Sequence, residues 1–213
     1  MAQLPRLNRL ADRVTDKLFR RPSGPVARTF YRDAKPHQEA FRKTLAALAL
    51  GPEDRLLELG CGGGTFLEWA LATGCTAQAI DHSTEMLALT TQRNAAAIAA
   101  GRLALEKADV SHLPFSDAQF TAAATINAFF FFDHPDEMLA EVCRTLAPGG
   151  RIAICTTDTA PSPIAQRMHL YTDDELERML SRAGYMRIAV MRTGPHGRMQ
   201  LVTAEKQPAV ASG

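Results

Sequence analysis

The sequence predicts an α/β fold, a doubly wound sheet of seven mostly parallel strands in which the last strand runs antiparallel. Seven short apolar segments have the character of strands, and stretches of helical length separate the first five of them. Strands that alternate with helices in this way join through right-handed crossovers and form a parallel sheet. A tight connection, "TGPHG" at 193–197, joins the last two segments, so the final strand is expected to be antiparallel to its neighbour.

The predicted strands share a short length and a high content of apolar residues. They are Arg55–Leu59, Thr76–Ile80, Leu103–Glu106, Thr121–Ile126, Arg151–Cys155, Tyr185–Met191 and Met199–Ala204. No internal repeat is visible along the chain.

Helices are predicted from composition and from capping signals. Residues 83–100 are rich in Ala, Leu, Met, Gln and Arg, and Gly101 follows where a C-terminal cap belongs. Pro135 opens a helix that runs to Leu146, and "PGG" at 148–150 ends it. "TDDE" at 172–175 is a capping box that opens a further helix.

Composition and charge exclude several function classes. The chain has 213 residues and a net charge of +1 at pH 7, so nucleic acid is not expected as the main partner, because phosphate binding needs a concentrated positive field. The four cysteines lie far apart and form no C-x-x-C pair, so no metal site is predicted and free thiols in a reducing compartment are expected. No apolar leader or long apolar run appears, so no transmembrane segment is expected and the expected location is cytoplasmic.

A glycine-rich stretch, "LLELGCGGGTF" at 56–66, follows the first predicted strand. In an open parallel sheet, ligands bind beyond the carboxyl ends of the strands, where glycine lets them touch the backbone. A glycine cluster can also exist only to make the turn, so this feature alone leaves both explanations open. The stretch lacks the Gly-Lys-Ser/Thr end of a P-loop, and Thr65 or Leu67 stands where a dinucleotide fingerprint needs its last glycine or alanine.

The pattern that fits is acid-x-Gly-x-Gly-x-Gly, formed by Glu58, Gly60, Gly62 and Gly64. With this pattern the sequence resembles the class I S-adenosylmethionine-dependent methyltransferases, specifically the small single-domain type that acts on small molecules. The resemblance extends over roughly residues 45–155. It implies a Rossmann-like fold and S-adenosyl-L-methionine as the cofactor, with the loop, including Cys61, in the cofactor site.

The next matching motif, "DHSTEM" at 81–86, begins at the end of the second predicted strand. The resemblance implies that Asp81 binds the two ribose hydroxyls of the cofactor, that His82 contacts the cofactor, and that Met86 lies against the adenine face. Capping of the following helix is the other explanation for Asp81, although Ser83 is available for that role. Ordinary core packing is the alternative for Met86.

Two further segments continue the resemblance. "KADVSHLPF" at 107–115 implies an adenine site made by Ala108, Asp109 and Val110, in which the Asp109 carboxylate accepts from the adenine amino group. A turn residue is the alternative for Asp109. Asn127 ends the fourth strand, where the family places groups that touch the amino acid part of the cofactor or the substrate, and a polar strand terminus is its alternative.

Aromatic residues and histidines are the candidates for the acceptor site. The run Phe129 to Phe132 lies where the methyl group is expected to emerge, so some of its rings are predicted to line a pocket. An acceptor that must lose a proton needs a base, and His134 and His169 are the candidates, although each can also be a surface histidine. The predicted acceptor-binding residues are Tyr31, His37, Phe129, Phe130, His169 and Tyr171.

The domain prediction is an N-terminal helical segment at 1–44, a cofactor-binding domain at 45–205 and a flexible tail at 206–213. Within the first segment, residues 4–21 form a basic amphipathic pattern. That helix either closes over the cleft as a lid or binds a membrane surface or a partner, which keeps a lipid or quinone acceptor open. No oligomeric state is predicted.

The function expected from all of these features is in-line transfer of the cofactor's methyl group to a small, partly apolar molecule. A cofactor-binding module that has lost catalysis and serves regulation or assembly is the alternative.

Overall fold

The computed structural model describes residues 37–160, 168–194 and 197–208, and the structural statements below concern these residues. The predicted helix at 4–21, Tyr31 and the end of the predicted tail from residue 209 lie outside the described residues, as does part of the predicted connection at 193–197.

Seven strands form one sheet. They are β1 (Arg55–Leu59), β2 (Thr76–Ile80), β3 (Leu103–Glu106), β4 (Phe120–Ile126), β5 (Leu146–Thr157), β6 (Tyr185–Thr193) and β7 (Met199–Lys206). Their order across the sheet is β3-β2-β1-β4-β5-β7-β6. The first five strands pair in parallel, and β7 lies antiparallel between β5 and β6. The predicted fold class, including the antiparallel last strand, is confirmed.

Helices cover both faces of this sheet. They are α1 (Gln38–Leu48), α2 (Thr65–Leu71), α3 (Thr84–Arg93), α4 (Ala95–Ala99), α5 (Pro135–Thr145) and α6 (Asp173–Arg182), and Phe129–Phe131 form a 3-10 turn. The predicted capping box at the start of α6 is confirmed, because the Thr172 side chain accepts from the Glu175 backbone and the Glu175 side chain accepts from Thr172. Among the described helices, none has the length and apolar character that crossing a bilayer requires.

The prediction of one continuous helix over 83–100 was wrong. The helix ends at Arg93, and a short second helix begins at Ala95. Asn94 stands between them, and its side-chain nitrogen donates to the Gly64 and Thr90 carbonyls at 3.1 and 3.2 Å. A buried carboxamide that needs hydrogen-bond partners therefore sets the break, which alanine-rich composition does not reveal.

The predicted strand start at Arg151 was also wrong. Helix α5 ends at Thr145 and β5 begins at Leu146, so the strand includes the "PGG" sequence at 148–150. Leu146 pairs with Phe120, and the register shifts before Ala122 pairs with Arg151. The extra residues of β5 are absorbed by this irregularity rather than by a turn that precedes the strand.

Neighbouring residues of each strand face opposite apolar layers. Leu56 packs with α1, α2 and α4, whereas Leu57 packs with α5 and α6. Helix α1 buries Ala40 and Leu48, and the predicted domain boundary at residue 44 falls within this helix. The predicted division of the chain stays a prediction.

An ion pair connects α1, β1 and β5 at the end of the sheet where the parallel strands begin. The Arg151 guanidinium donates to both carboxylate oxygens of Asp54, at 2.8 and 3.0 Å, and to the Leu48 carbonyl at the end of α1. Burial would raise the pKa of Asp54, but hydrogen bonds from Arg151, Thr121 and Gly51 outweigh burial and lower the pKa to about 2.

Candidate functional site

The glycine loop joins β1 to α2 and lies against the ends of β2 and β4. The backbone N–H groups of Gly60 and Cys61 donate to the Ile80 carbonyl at 2.9 and 3.2 Å. Gly60 has a φ of +72°, and a Cβ on Gly60 would lie 2.7 Å from the Cβ of Ala128. Both the left-handed backbone and the close approach to the end of β4 therefore require glycine at this position.

Three side chains from the α3–α4 region hold the outer half of the loop. Thr90, Arg93 and Asn94 donate to the carbonyls of residues 62, 63 and 64 at 2.7, 2.8 and 3.1 Å, respectively. Sequence reasoning missed all three residues. Their only signal was the presence of polar side chains at positions that the fold buries, since Thr90 and Asn94 are both buried.

Asp81 lies at the end of β2, where it connects the glycine loop to the start of α3. Its buried carboxylate accepts from the Gly62 N–H at 3.0 Å and from the Ser83 N–H at 2.8 Å. Ser83 is the helix cap, since its hydroxyl accepts from the Met86 N–H. The pKa of Asp81 is raised by burial, although the hydrogen bonds from Ser83 and Gly62 oppose that rise.

Glu58 is a second buried carboxylate at this edge of the sheet. Its side chain is 3% exposed, and its Oε2 atom has no hydrogen-bond partner within residues 37–160, 168–194 and 197–208. Burial raises the pKa of Glu58 well above its usual value, and the negative charge of Asp81 adds to the effect. A buried carboxylate oxygen without a partner is costly, so a ligand that brings a cation or a hydrogen-bond donor fits this position.

Other residues of the predicted cofactor site differ in their exposure. Cys61 is buried, and burial raises the pKa of its thiol well above the usual value. Met86 has no exposed surface, and its contact with adenine stays a prediction. His82 is exposed, with its Nδ1 atom 3.7 Å from Asp81 Oδ1. Only His82 of these three presents much surface to a ligand in this conformation.

The predicted adenine segment follows β3 and forms a tight turn. Asp109 Oδ1 accepts from the Ser111 N–H at 2.9 Å, and the Asp109 carbonyl accepts from the His112 N–H at 3.2 Å. The bond from Ser111 lowers the pKa of the exposed Asp109 carboxyl. Ala108 and Val110 pack, partly buried, against the apolar layer that includes α5. Asp109 thus forms the turn and also presents a charged oxygen to solvent.

Asn127 and His37 meet at the end of β4. The Asn127 side-chain nitrogen lies 2.8 Å from His37 Nδ1, and the Asn127 backbone N–H donates to the Cys155 carbonyl. Since an amide nitrogen can only donate, Nδ1 accepts and the imidazole proton lies on Nε2. Burial lowers the pKa of His37, which favours this neutral form. Both residues were predicted separately, but their contact was not, because 90 positions separate them.

The backbone of Asn127 has a positive φ. Its value is +56°, in the left-handed region that asparagine adopts more readily than most other non-glycine residues. The next residue, Ala128, lies beside Gly60. This turn of the backbone at the end of β4 therefore lies next to the glycine loop.

The phenylalanine cluster is mainly packing. Phe129 is fully buried, and its ring centroid lies 5.6 Å from that of Tyr171. The Phe130 carbonyl accepts from the His169 N–H at 2.8 Å, so the segment after β5 is attached to the 3-10 turn. Phe129, Phe130, His169 and Tyr171 are therefore neighbours, as the predicted acceptor site requires, whereas their contact with an acceptor stays a prediction.

The two histidines predicted as bases are both exposed. His134 is 65% exposed and its Nδ1 atom lies 4.0 Å from Glu137 Oε1. His169 is 51% exposed and its Nε2 atom lies 4.0 Å from Asp133 Oδ1. His37 differs from both, because it is partly buried and bonded to Asn127 at the end of β4.

Residues 57–154 match the family model described as "Methyltransferase domain". Among curated proteins, the chain is 35% identical over 124 residues to a demethylmenaquinone methyltransferase from Clavibacter sepedonicus, a match that covers 58% of this chain and 49% of the relative. The chain thus spans about half the length of this relative.

Solved structures share the fold. A SAM dependent methyltransferase from Aquifex aeolicus superposes with a TM-score of 0.71 at 20% identity, covering 86% of this chain and 98% of that one. A phosphoethanolamine N-methyltransferase from Haemonchus contortus, in complex with S-adenosyl-L-methionine, gives a TM-score of 0.67 at 17% identity and covers 78% and 52%. At these identities the likeness concerns the fold.

Proposed function

We propose that this chain, as a class I S-adenosylmethionine-dependent methyltransferase, transfers the cofactor's methyl group directly to a small, partly apolar acceptor. The whole reaction, including the acceptor, is part of this proposal. The family match and the related structures support S-adenosylmethionine as the cofactor.

One observation carries the cofactor part of the proposal. Glu58 and Asp81 are both buried at the carboxyl ends of adjacent strands, and Glu58 Oε2 lacks a partner in the described part of the chain. We assign the ribose hydroxyls to Asp81, because a carboxylate can accept from both members of a diol. We assign a cationic group of the same ligand to Glu58. The glycine loop between them offers partly buried backbone at Gly60 and Gly62 rather than side chains.

The chemistry asks mainly for alignment. The bound cofactor supplies an activated methyl group, so this chain has to bind the cofactor and the acceptor, orient them and exclude water from the site. We assign binding to the carboxylates and the glycine loop. We assign enclosure of the acceptor to the aromatic cluster of Phe129, Phe130 and Tyr171, in which the two phenylalanine rings are buried and Tyr171 is partly buried.

We assign His37 and Asn127 to the boundary between the cofactor-binding part and the acceptor-binding part of the site. Their hydrogen bond holds the imidazole at the end of β4 with its proton on Nε2. His37 stays a predicted acceptor-binding residue, and this contact places it beside Asn127. His134 and His169 remain the predicted bases, and their exposure argues against a proton transfer that is protected from solvent.

A quinone or lipid acceptor is the alternative within the same class of reaction. It is favoured by the similarity to a protein named demethylmenaquinone methyltransferase. A cofactor-binding module without catalysis is the other alternative. Both alternatives need the carboxylate pair and the glycine loop, so the methyl-transfer assay below separates them.

Calorimetry with S-adenosylmethionine, S-adenosylhomocysteine and NAD tests the cofactor part. We expect both sulfur ligands to bind at one site and NAD not to bind. Asp81→Asn and Glu58→Gln should each weaken binding, whereas Glu205→Gln, which removes an exposed carboxylate paired with Arg187, should not. Saturable NAD binding without binding of either sulfur ligand would contradict the proposal.

Transfer is tested by incubating the protein with methyl-labelled cofactor and three acceptor sets: water-soluble phenols, a demethylated quinone in detergent, and a small-molecule cell extract. Label in the phenols or in an extract metabolite supports the proposed class. Label only in the quinone supports the quinone alternative. Cofactor binding without label in any set favours the non-catalytic module.

A further inference from the structure

Two side chains of α5 hold the segment that follows β3. Glu141 Oε2 accepts from the Leu113 N–H at 2.9 Å, and Arg144 Nη2 donates to the Leu113 carbonyl at 3.1 Å. Arg144 Nη1 also donates to the Phe115 carbonyl at 2.8 Å. Both polar backbone groups of Leu113 are therefore bonded to one helix that is distant in sequence.

The two side chains also fix each other. Arg144 Nε donates to Glu141 Oε1 and Arg144 Nη2 to Glu141 Oε2, both at 2.9 Å, which is the parallel two-bond geometry of a guanidinium and a carboxylate. Arg144 Nη1 also donates to Asp117 at 2.8 Å. The hydrogen bonds from Arg144 lower the pKa of Glu141, so the pair stays charged near neutral pH.

Leu113 is connected to the predicted adenine-binding residue by a short hydrogen-bonded turn. Asp109 accepts from the backbone of Ser111 through its carboxylate and from the backbone of His112 through its carbonyl. The turn begins at the end of β3 and reaches its next fixed point at Leu113, whose side chain is buried. The position of Asp109 therefore depends on where α5 holds Leu113.

We infer that Glu141 and Arg144 are positioning residues for the adenine end of the cofactor. This inference rests on the proposed function. The pair holds Leu113 and thereby sets the position of Asp109 and Val110, which the proposed cofactor site uses. Their role is to hold the turn, and the contacts with the ligand are assigned to Asp109 and Val110.

Helix α5 is held by apolar packing of its own, so loss of the Glu141–Arg144 pair should leave the helix in place. Met138, Leu139 and Val142 are fully buried on the same helix. Arg144 is only partly buried, with its side chain 33% exposed. Substitution of Arg144 should therefore release the turn without removing the apolar contacts that hold the helix.

The test compares Arg144→Met, Arg144→Lys, Glu141→Ala and the control Arg182→Met, which removes an exposed ion pair between α6 and Asp136. S-Adenosylhomocysteine and its inosine analogue, S-inosylhomocysteine, are titrated by calorimetry into each folded variant, and melting temperatures are recorded. In the analogue a carbonyl oxygen replaces the exocyclic amino group that Asp109 is proposed to bind, and N1 carries a proton, so an acceptor faces the Asp109 carboxylate in place of a donor.

We expect Arg144→Met and Glu141→Ala to weaken S-adenosylhomocysteine binding about tenfold and to reduce the preference over the inosine analogue, because small displacements of binding groups are costly. Arg144→Lys should behave like Arg144→Met, since an ammonium cannot replace the planar fork. Arg182→Met should match the wild type in both measurements.

A purely structural role would lower the melting temperature but leave the affinity and the base preference of the folded protein unchanged, and that result would overturn the inference. Should the Arg144 variants fail to fold, Glu141→Ala gives the same readouts. If the wild-type protein binds neither ligand, the proposed function fails. If it binds S-adenosylhomocysteine and the variants bind equally well, only the inference fails.

Discussion

Replacement of Gly60 by alanine should destabilise the protein even when no cofactor is present. The added Cβ would lie 2.7 Å from the Cβ of Ala128, which is fixed to the backbone and cannot rotate away. The substitution also places a side chain on a residue with a φ of +72°. Two costs therefore add, one from the backbone conformation and one from overlap.

The magnitude follows from these two costs. A left-handed conformation costs a non-glycine residue on the order of 1 to 2 kcal/mol. Overpacking that displaces backbone costs about 1 to 3 kcal/mol more. The sum is roughly 2 to 5 kcal/mol of unfolding free energy, which for a chain of this size lowers the melting temperature by roughly 5 to 15 °C.

Gly101→Ala is the matched control. Gly101 has a φ of +69°, but no atom lies within 4 Å of the added Cβ. Only the backbone cost applies there, so we expect a decrease in melting temperature of a few degrees. Calorimetric scans of both variants without ligand isolate the cost of the contact with Ala128. Equal melting temperatures for the two variants would refute the packing argument and would leave ligand contact as the reason for Gly60.

Three further predictions concern charge and buried polar groups. Arg151→Met should destabilise the protein near neutral pH. In urea denaturation its difference in unfolding free energy from the wild type should shrink as the pH falls from about 4 to about 2, because the pKa of Asp54 is lower in the folded protein than in the unfolded chain. A difference that does not depend on pH would contradict this. Thr156→Val should raise the melting temperature by about 2 to 4 °C, because it replaces a buried hydroxyl that has no hydrogen-bond partner among the described residues; a decrease would contradict this. The affinity for S-adenosylmethionine should rise as the pH rises through the raised pKa of Glu58, since the ionised carboxylate attracts the cationic ligand, and Glu58→Gln should weaken this dependence. Calorimetry at several pH values checks it, and a wild-type affinity that does not vary with pH would contradict it.

The sheet could be predicted from the sequence because its signals are local. The bounds of β1, β2 and β3 are those predicted, since each is a short apolar run between turn residues. The break at Asn94 and the early start of β5 could not be predicted in this way. Asn94 is set by a hydrogen bond to Gly64, and the start of β5 by pairing with Phe120, both of which exist only in the folded chain.

In the candidate site, too, the residue types could be predicted from the sequence, whereas their contacts could not. Glu58 and Asp81 were predicted as acids near the glycine loop, but the sequence did not reveal that Asp81 already accepts from the Gly62 N–H. Asp81 therefore contributes to the unliganded structure as well as to the proposed cofactor site. A substitution of Asp81 is expected to change both the stability of the protein and its affinity for the cofactor, whereas the resemblance to the family implies only the change in affinity.

The glycine loop was first explained in two ways, as a surface for a ligand or as a turn, and the structure makes the two explanations compatible. Gly60 is required by its contact with Ala128, and a Cβ on Gly64 would lie 2.7 Å from the Asn94 side chain that supports the loop. These glycines let the loop pack against β4 and α3 before any ligand binds. That packing positions the loop backbone and the carboxylates of Glu58 and Asp81 at the carboxyl ends of β1 and β2, where a ligand is expected to bind. A motif glycine can thus serve the ligand through the packing it permits, without touching the ligand itself.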